Sequence, residues 1–351
     1  MKLIHAGIGG RGRHWLDFVA QQADIETVAC VDVDEDALRA VRDATGCTIF
    51  SSLDEALSAV EADGVLVASP SHLHGEHARM ALNAGFAVMV EKPLAASLAE
   101  AVDVVQSART IGRPLMVAEN YRFFEAERTL RKFLADEKLG RIESIVCIDR
   151  RDQPSNTQGA WVRKMPQPFL TEIAVHHFDS FRYLFDRRPE SVWAKTYNPP
   201  GSDYEQNAAA QTLLEMQGNI RIQYSGSFVG SRYEYELSVR GENGEIRTNR
   251  SKVWWRPQGK RSFTLLEPVA MPEGEALRYP QAGMHSLLTA FRDAVLNGSE
   301  PETSGADNLW TLAMYEAAVR SAETGNYVSI ESTFTREMQE RAGLTATQGN
   351  A

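Results

Sequence analysis

The sequence has few cysteines, and they lie far apart. Its 351 residues include three, Cys30, Cys47 and Cys147, without a Cys-x-x-Cys pair. An odd and dispersed set supports neither a disulfide framework nor a zinc site, and it predicts buried free thiols in a reducing compartment. A strand is predicted from Lys2 onward with no signal-peptide pattern before it, so we expect a cytoplasmic protein.

Positive charge and long apolar runs are also scarce. The chain has 37 Lys and Arg against 47 Asp and Glu, which gives a formal net charge of -10. Nucleic acids and anionic membranes are bound through basic faces, so both are excluded as expected partners. No apolar run approaches the roughly 18 residues of a membrane span. With 43% hydrophobic residues, a chain of this length predicts a globular protein of about two domains.

The first third of the chain alternates strand and helix patterns. The predicted strands are 2–8, 26–34, 63–69, 87–90 and 114–119. The stretch "DGVLVAS" is almost wholly apolar, as expected of a parallel strand that is covered on both faces. Ser52 with Glu55 and Ser97 with Glu100 predict capping boxes at two helix starts. We therefore predict a doubly wound parallel sheet of the α/β class over residues 1–120.

The pattern changes after residue 120. Later stretches such as "IRIQYSGSF" and "YEYELSVRG" alternate apolar and polar residues with period two, and Asn243-Gly244 predicts a turn between strands. One amphipathic helix is predicted at 125–140, and two late helices at 284–298 and 306–325 could pack on either domain. We predict an α+β domain with a large, mainly antiparallel sheet at 121–330, followed by a polar tail at 331–351.

A glycine-rich segment connects the first strand to the first helix. In "GIGGRG", Gly7, Gly9 and Gly12 have the G-x-G-x-x-G spacing, and Asp32 follows twenty residues after Gly12 at the end of the next strand. Three glycines could make only a tight turn. The strand before them, the helix after them and the acid where a ribose 2′-hydroxyl is bound instead predict a dinucleotide site.

The acids around Asp32 indicate which dinucleotide binds. Asp34, Glu35 and Asp36 follow it directly. These three fit the first turn of a helix, but a 2′-phosphate beside Asp32 would meet several carboxylates, and one like-charge pair at about 4 Å costs about 4 kcal/mol. The neighbouring arginines, at 11 and 13, offset part of this repulsion. The balance predicts NAD rather than NADP.

Two further segments place ionisable groups at strand ends. "EKPLA" follows the apolar strand "AVMV", so Lys92 is either a charged strand end in solvent or a catalytic lysine beside the cofactor. "SPSHLHGEH" contains His72, His74 and His77. A metal site is one interpretation, since His74 and His77 have helical spacing, but a loop that lines the cofactor cleft at the carboxyl ends of the strands is favoured, and we predict no metal.

The helix "EIAVHHFDSFRYL" carries the other concentration of such groups. Glu172, His176, Asp179 and Arg182 recur about once per turn, opposite a side of apolar residues. This side is either a solvated charged face or a site in which His176 transfers a proton and Glu172 orients its ring. His177 points elsewhere and is expected to be structural.

Together these motifs resemble the Gfo/Idh/MocA oxidoreductase family over nearly the whole chain. The resemblance rests on "GIGGRG", "EKPLA", "AENYRF", "EAAVRSAETGNYV" and an acid four residues before a histidine on a helix of the second domain. It implies an N-terminal Rossmann domain, Lys92 as the active-site lysine and His176 as the catalytic histidine, with Glu172 as its acidic partner. It also implies a cis bond before Pro93.

The resemblance and the residues together assign a fuller site. The predicted cofactor-binding residues are Gly7, Gly9, Gly10, Arg11, Gly12, Asp32, Ser69, His74, Glu91 and Lys92. The predicted substrate-binding residues are Lys92, Asn120, Tyr121, Arg122, Trp161, Arg163, Glu172 and His176. Two features depart from the family pattern: "PQPFLTE" replaces a glycine-rich run, and glutamate at 172 replaces the commoner aspartate, so its carboxylate reaches one methylene further.

The predicted activity is NAD-dependent oxidation of a secondary hydroxyl of a sugar, cyclitol or related polyol, or the reverse reduction. One alternative is a lyase or glycosidase in which a transient oxidation acidifies a neighbouring C–H and NAD is regenerated. Another is a non-catalytic NAD(P)-sensing regulator, although a sensor needs neither Lys92 nor His176. The family also implies a homodimer or homotetramer formed through the exposed face of the antiparallel sheet.

Overall fold

A computed structural model describes residues 1–154 and 160–344, apart from the side chains of Ala160 and Trp161. Two units are distinguished. Unit 1 contains Met1–Asn120, Pro272–Leu309 and the chain from Thr335 onward, and unit 2 contains Tyr121–Met271 and Trp310–Phe334. Within the described ranges, no helix has the length and hydropathy needed to cross a bilayer.

Unit 1 contains a six-stranded, wholly parallel sheet. Its strands are β1 (Lys2–Ala6), β2 (Glu26–Val31), β3 (Thr48–Phe50), β4 (Gly64–Val67), β5 (Ala87–Val90) and β6 (Leu115–Val117). The connecting helices are α1 (Gly10–Val19), α2 (Glu35–Thr45), α3 (Leu53–Ala59), α4 (His74–Asn83) and α5 (Leu98–Ile111). The strand order β3-β2-β1-β4-β5-β6 is that of a doubly wound dinucleotide-binding sheet, which confirms the predicted fold class.

Local sequence signals place most of these elements, with some differences. All residues of β4 and β5 are buried, as their apolar composition predicts. Ser97 caps α5 by accepting a hydrogen bond from the N–H of Glu100. Ser52 stands at the start of α3 but makes no capping hydrogen bond with its side chain, so this capping box was predicted wrongly. Strand β3 was missed because it has only three residues.

Unit 2 contains a nine-stranded sheet in the order β14-β13-β12-β11-β7-β10-β9-β8-β15. Its strands are β7 (Ile142–Asp152), β8 (Pro189–Tyr197), β9 (Ala209–Met216), β10 (Ile220–Ser227), β11 (Val229–Gly241), β12 (Gly244–Thr248), β13 (Val253–Pro257), β14 (Thr264–Leu265) and β15 (Val328–Ser329). Neighbouring strands are antiparallel except β7 and β10, which run parallel. The prediction of a large, mainly antiparallel sheet is confirmed.

The remaining helices are distributed over both units. They are α6 (Glu125–Ala135), α7 (Ala160–Lys164), α8 (Val175–Phe185), α9 (Met284–Asn297), α10 (Gly305–Thr324), α11 (Ile330–Thr333) and α12 (Arg336–Arg341). A 3-10 turn precedes α4 at Ser71–Leu73 and another precedes α6 at Asn120–Phe123. A π-helical segment, Leu170–Ala174, leads directly into α8. This segment was not predicted, because the sequence pattern was interpreted as one regular helix.

The division into units differs from the predicted domain limits after residue 271. Helix α9 lies in unit 1, and α10 is divided after Leu309. Packing explains this: a Cβ at Gly64 of β4 would lie 2.9 Å from the ring of Phe291 on α9, and one at Gly305 would meet Leu115 of β6. Apolar residues at helical spacing predict that a helix is covered on one face but not which sheet covers it. The sequence therefore did not decide which domain α9 packs against.

Candidate active site

The glycine loop between β1 and α1 has the geometry of an anion-binding turn. Gly7 has φ +94, and a Cβ there would clash with the backbone N of Ser69. A Cβ at Gly12 would clash with the carbonyl of Gly7, whereas Gly9 and Gly10 have nothing within 4 Å of theirs. Helix α1 begins without a side-chain cap. The turn and its packing require the first and third glycines, and the open second one leaves backbone N–H groups available to a phosphate.

Asp32 lies beside this loop at the end of β2. Its Oδ2 accepts a hydrogen bond from the N–H of Ile8 at 2.8 Å, and its Oδ1 accepts one from Asp34 at 3.0 Å. The N–H of Asp32 donates to Phe50, which ties the ends of β2 and β3 together. Each carboxylate oxygen has a further lone pair, so the fixed group can also accept hydrogen bonds from ribose hydroxyls.

A buried hydroxyl supports the same assignment. Ser69, after β4, has its Oγ buried without a hydrogen-bond partner in the structure. Buried hydroxyls in proteins are usually satisfied, so an orphaned one next to the glycine loop fits a bound polar ligand. The open glycines, the uncapped helix start, Asp32 and Ser69 together fit a dinucleotide such as NAD.

Glu91 follows β5 and connects three parts of unit 1. Its Oε1 accepts hydrogen bonds from Arg11 Nε at 2.8 Å and Trp15 Nε1 at 2.7 Å, and its Oε2 lies 3.3 Å from the backbone N–H of Lys92. Burial alone would raise the pKa of Glu91, but Arg11 and Trp15 hold it below its usual value. Arg11 also donates to the carbonyl of Pro280 at 2.6 Å. Both side chains were predicted to contact cofactor, and their charged groups bind each other; the cofactor contacts stay predictions.

His74 supports the lysine loop from the other side. Its Nδ1 lies 2.7 Å from the carbonyl of Pro93 and its Nε2 lies 2.8 Å from that of Ser69. The Lys92–Pro93 bond is cis. Burial lowers the pKa of His74 and its two carbonyl neighbours oppose that shift, while the contacts of both ring nitrogens connect the loops that follow β4 and β5. Across residues 1–154 and 160–344, no group of three or more His, Cys, Asp or Glu is arranged to hold a metal ion.

In unit 2, the ring of His176 stacks on that of Tyr121. The centroids are 4.3 Å apart and the planes differ by 18°. His176 is 8% exposed, and its position in the first turn of α8 follows the π-helical turn that contains Glu172. The wider π-helical turn changes the spacing expected from one regular α-helix, and such turns are frequent at functional sites. The structure therefore brings Tyr121 and His176 together as neighbours.

The predicted charged face of α8 is not solvated. Asp179 is buried and receives two hydrogen bonds of 2.6 Å from Arg122, with a third of 3.1 Å from Thr311. Arg182 donates to the same threonine hydroxyl at 2.9 Å. A bidentate arginine–carboxylate pair of this kind fixes both side chains. Arg122 was predicted to bind substrate, which stays a prediction, and its guanidinium pairs with a carboxylate of its own unit.

A second buried network holds Tyr121. His177 Nε2 lies 2.7 Å from Asp149 Oδ2, and Arg151 donates to both oxygens of Asp149 and to the hydroxyl of Tyr121 at 3.0 Å. Burial lowers the pKa of His177 to about 3, so the ring is neutral and donates from Nε2. Sequence reasoning missed Asp149 and Arg151, although a carboxylate at an inward position of β7 was a usable signal.

The other predicted substrate contacts are more dispersed. Asn120 donates to the carbonyl of Ala282 at 3.0 Å within unit 1. Arg163 is half exposed and pairs with Glu205 at 3.3 Å. Trp161 lies in α7, but its side chain falls outside the described part of the chain. Their substrate roles stay predictions.

Comparisons with known proteins agree with this architecture. Residues 3–119 match the model of an oxidoreductase family with an NAD-binding Rossmann fold, and residues 128–247 match the Gfo/Idh/MocA C-terminal domain. A D-apiose dehydrogenase of Paraburkholderia graminis is 28% identical, over 88% of this chain and 84% of that protein. A 1,5-anhydro-D-fructose reductase of Ensifer adhaerens is 26% identical, over 80% and 84%.

A solved structure has the same fold. An oxidoreductase from Agrobacterium radiobacter, in complex with NAD+, L-tartaric acid and magnesium, superposes with a TM-score of 0.85 at 21% identity. The match covers 95% of this chain and 99% of that one. With both family models matched, the chain belongs to the Gfo/Idh/MocA family of NAD-binding oxidoreductases.

Proposed function

We propose that the protein is an NAD-dependent dehydrogenase that oxidises a secondary hydroxyl of a sugar, cyclitol or related polyol, or reduces the corresponding carbonyl. The observation that carries the proposal is the hydrogen-bonded connection from the glycine loop through Arg11 and Glu91 to the backbone of Lys92. A charged strand end that only reached solvent would not need such a buried anchor. The names of the relatives from Paraburkholderia and Ensifer support a carbohydrate substrate.

Three side chains of the protein carry the proposed reaction. Lys92 donates a hydrogen bond to the substrate hydroxyl and stabilises negative charge that develops on its oxygen. His176 accepts the hydroxyl proton, and Glu172 orients the imidazole and stabilises its protonated form. Bound NAD supplies the hydride acceptor for the carbinol hydrogen. The stacking of Tyr121 on His176 supports this role, because a fixed ring loses little entropy when it meets a substrate.

The cofactor preference is proposed from the charges near Asp32. Asp34, Glu35 and Asp36 surround it with negative charge. Arg39 offsets part of this charge, because it pairs with Glu35 at 3.1 Å and with Asp36 at 2.5 Å. The two arginines of the glycine segment are engaged elsewhere: Arg11 pairs with Glu91, and the guanidinium at position 13 lies 3.2 Å from Asp17. A 2′-phosphate would therefore meet repulsion without a free cation from either side chain, which favours NAD.

A spectrophotometric panel tests the proposal. Purified protein is incubated with NAD and a set of sugars, cyclitols and polyols while absorbance at 340 nm is followed. Accumulation of NADH with at least one compound is expected. Cleavage of a substrate without NADH would replace the proposal with the lyase or glycosidase alternative, and cofactor binding without any turnover would replace it with a sensor.

We also propose that the protein forms a homo-oligomer through the open face of the nine-stranded sheet. A groove of about 360 Å³ on this face is lined by Val146, Trp193 and Leu213, and Val146 and Leu213 are each more than a third exposed. Light scattering after size exclusion should give a dimer or tetramer for wild type and a monomer for Leu213→Glu. Gln217→Glu, on the turn after β9, is the control. A monomeric wild type would contradict the proposal.

A further inference from the structure

The loop between β12 and β13 is built to turn Arg250 inward. Arg250 has φ +74, a left-handed conformation that residues other than glycine rarely adopt. Its N–H donates to Thr248 Oγ1 at 3.0 Å, and Asn249 Oδ1 accepts hydrogen bonds from the N–H groups of Ser251 and Lys252. Three hydrogen bonds thus maintain a strained turn, which indicates that the position of the arginine side chain matters.

The guanidinium of Arg250 lies against aromatic rings. Its central carbon is 4.0 Å from the ring centroid of Tyr121 and 4.0 Å from that of Tyr235, and Nη2 lies 3.5 Å from Nδ1 of His177. Its Nε and Nη1 are buried and have no hydrogen-bond partner. The cation is therefore held by the ring faces, and its full charge acts on these neighbours.

Tyr121 connects this cation to His176. The Tyr121 ring contacts Arg250 and stacks on His176, while its hydroxyl accepts a hydrogen bond from Arg151. The three contacts fix both the plane and the tilt of the phenol ring. Since the imidazole lies against that plane, any displacement of Arg250 changes the surface on which His176 rests.

We infer that Arg250 is a positioning residue for the proposed reaction. Its guanidinium holds Tyr121 against His176, and its charge favours the neutral, proton-accepting form of that histidine. The inference rests on the proposed role of His176 as the base. It adds a residue that lies 74 positions away in the sequence and belongs to none of the predicted motifs.

The other charged and titratable groups around Arg250 come from several elements. They are Glu127 on α6, Cys147, Asp149 and Arg151 on β7, His177 on α8, and Tyr233 and Tyr235 on β11. The carboxylate of Asp149 accepts hydrogen bonds from Arg151 and His177. Glu127 is buried, and burial raises its pKa to about 7 although Arg250 pulls the other way. Below that pH the Glu127 carboxyl is neutral and does not offset the charge of Arg250. The charge of Arg250 therefore has its largest effect on its other neighbours at acidic pH.

Two conservative variants separate geometry from charge. Arg250→Gln keeps a planar group but removes the charge, so the midpoint of the acidic limb of kcat/KM in the oxidation direction should rise by about one unit. Arg250→Lys keeps the charge, but an ammonium group cannot stack on two rings as the planar guanidinium does. The midpoint of the acidic limb of kcat/KM should therefore be unchanged while kcat falls roughly tenfold. Lys252→Met, an exposed charge in the same loop, is the control and should superimpose on wild type.

If Arg250→Gln and Arg250→Lys both fold and both have the pH profile of kcat/KM and the kcat of wild type, the inference is overturned. If Arg250→Gln does not fold, an unchanged kcat in Arg250→Lys overturns the positioning role by itself. His176→Asn distinguishes this failure from failure of the proposed function. Full activity in His176→Asn refutes the base, whereas loss of activity there with unaffected Arg250 variants refutes only the inference.

Discussion

Glu91 holds Arg11 in an ion pair of 2.8 Å between Oε1 and Nε, with the carboxylate 8% and the guanidinium 22% exposed. The pair joins the glycine loop to the segment that carries Lys92. Both residues were predicted to contact cofactor, which stays a prediction, and the structure shows how one fixes the other. Because the glycine loop and the segment of Lys92 share this carboxylate, the pair holds their relative position without a bound ligand.

This pair gives the first prediction. Glu91→Gln keeps the shape and the acceptor for Trp15 but removes the charge, so it should lower the free energy of unfolding by about 2 kcal/mol. The matched control is Arg13→Gln, which breaks the exposed pair with Asp17 and should cost no more than about 0.5 kcal/mol. Urea denaturation measures both values. Equal effects of the two substitutions would show that the Glu91 pair is no stronger than a surface pair.

The second prediction concerns cofactor choice. Asp32→Ser removes the carboxylate that accepts the N–H of Ile8, so NAD affinity should fall roughly tenfold while NADP affinity rises toward it. Glu35→Gln, an exposed acid of the same cluster, is the control and should change the ratio little. Titration calorimetry with both cofactors measures the constants. Tighter binding of NADP than of NAD by the wild type would contradict the assignment.

The third prediction tests the coupling of Glu172 to His176. His176→Asn should lower turnover by roughly 10²–10⁴-fold, the usual contribution of a positioned base. Wild-type oxidation should rise with pH through one ionisation, because protonated imidazole cannot accept a proton. Glu172→Gln removes the anion that stabilises imidazolium, so the midpoint should fall, and Glu172→Asp should be milder. A Glu172→Gln profile that superimposes on wild type would show that the two residues are not coupled.

The fourth prediction is a pH dependence of stability. Burial raises the pKa of Glu127 from 4.5 to about 7, so between these values the folded protein keeps a proton that the unfolded chain releases. Stability from this group is complete below pH 4.5 and is lost as pH rises through 7, by about 3 kcal/mol in total. Glu127→Gln abolishes the titration and should be stabilised relative to wild type at pH 8. Urea denaturation at pH 4.5 and 8 measures this, with Glu125→Gln as the control, and parallel curves for wild type and Glu127→Gln would refute it.

Signals that are local in sequence predicted much of unit 1. The glycine spacing, the apolar run of β4 and the segment after β5 depend on neighbours a few residues apart, so they could be interpreted directly. Strand β3 and the π-helical turn before α8 are too short to produce a periodic signal. Helix α9 shows a clear apolar face, but its partner, Gly64 in β4, is more than 200 residues away.

The buried charge pairs escaped prediction for the same reason. Arg122 and Asp179 are 57 residues apart, and His177 and Asp149 are 28 apart. Each residue alone resembles a surface charge, and only the fold shows that it is buried and matched. Sequence patterns therefore identified Lys92 and His176 as candidates, while the residues that support them became visible only in three dimensions.

The most direct test of the account follows one hydrogen atom. A compound oxidised in the panel is prepared with deuterium on its carbinol carbon, and the cofactor is analysed by mass spectrometry after turnover. We expect wild type to form NADH that carries one deuterium, and we expect Lys92→Ala to form no NADH while it retains its fold and its NAD affinity. Product formation with deuterium absent from the cofactor, and NAD left unreduced, would contradict net hydride transfer as the function of this protein.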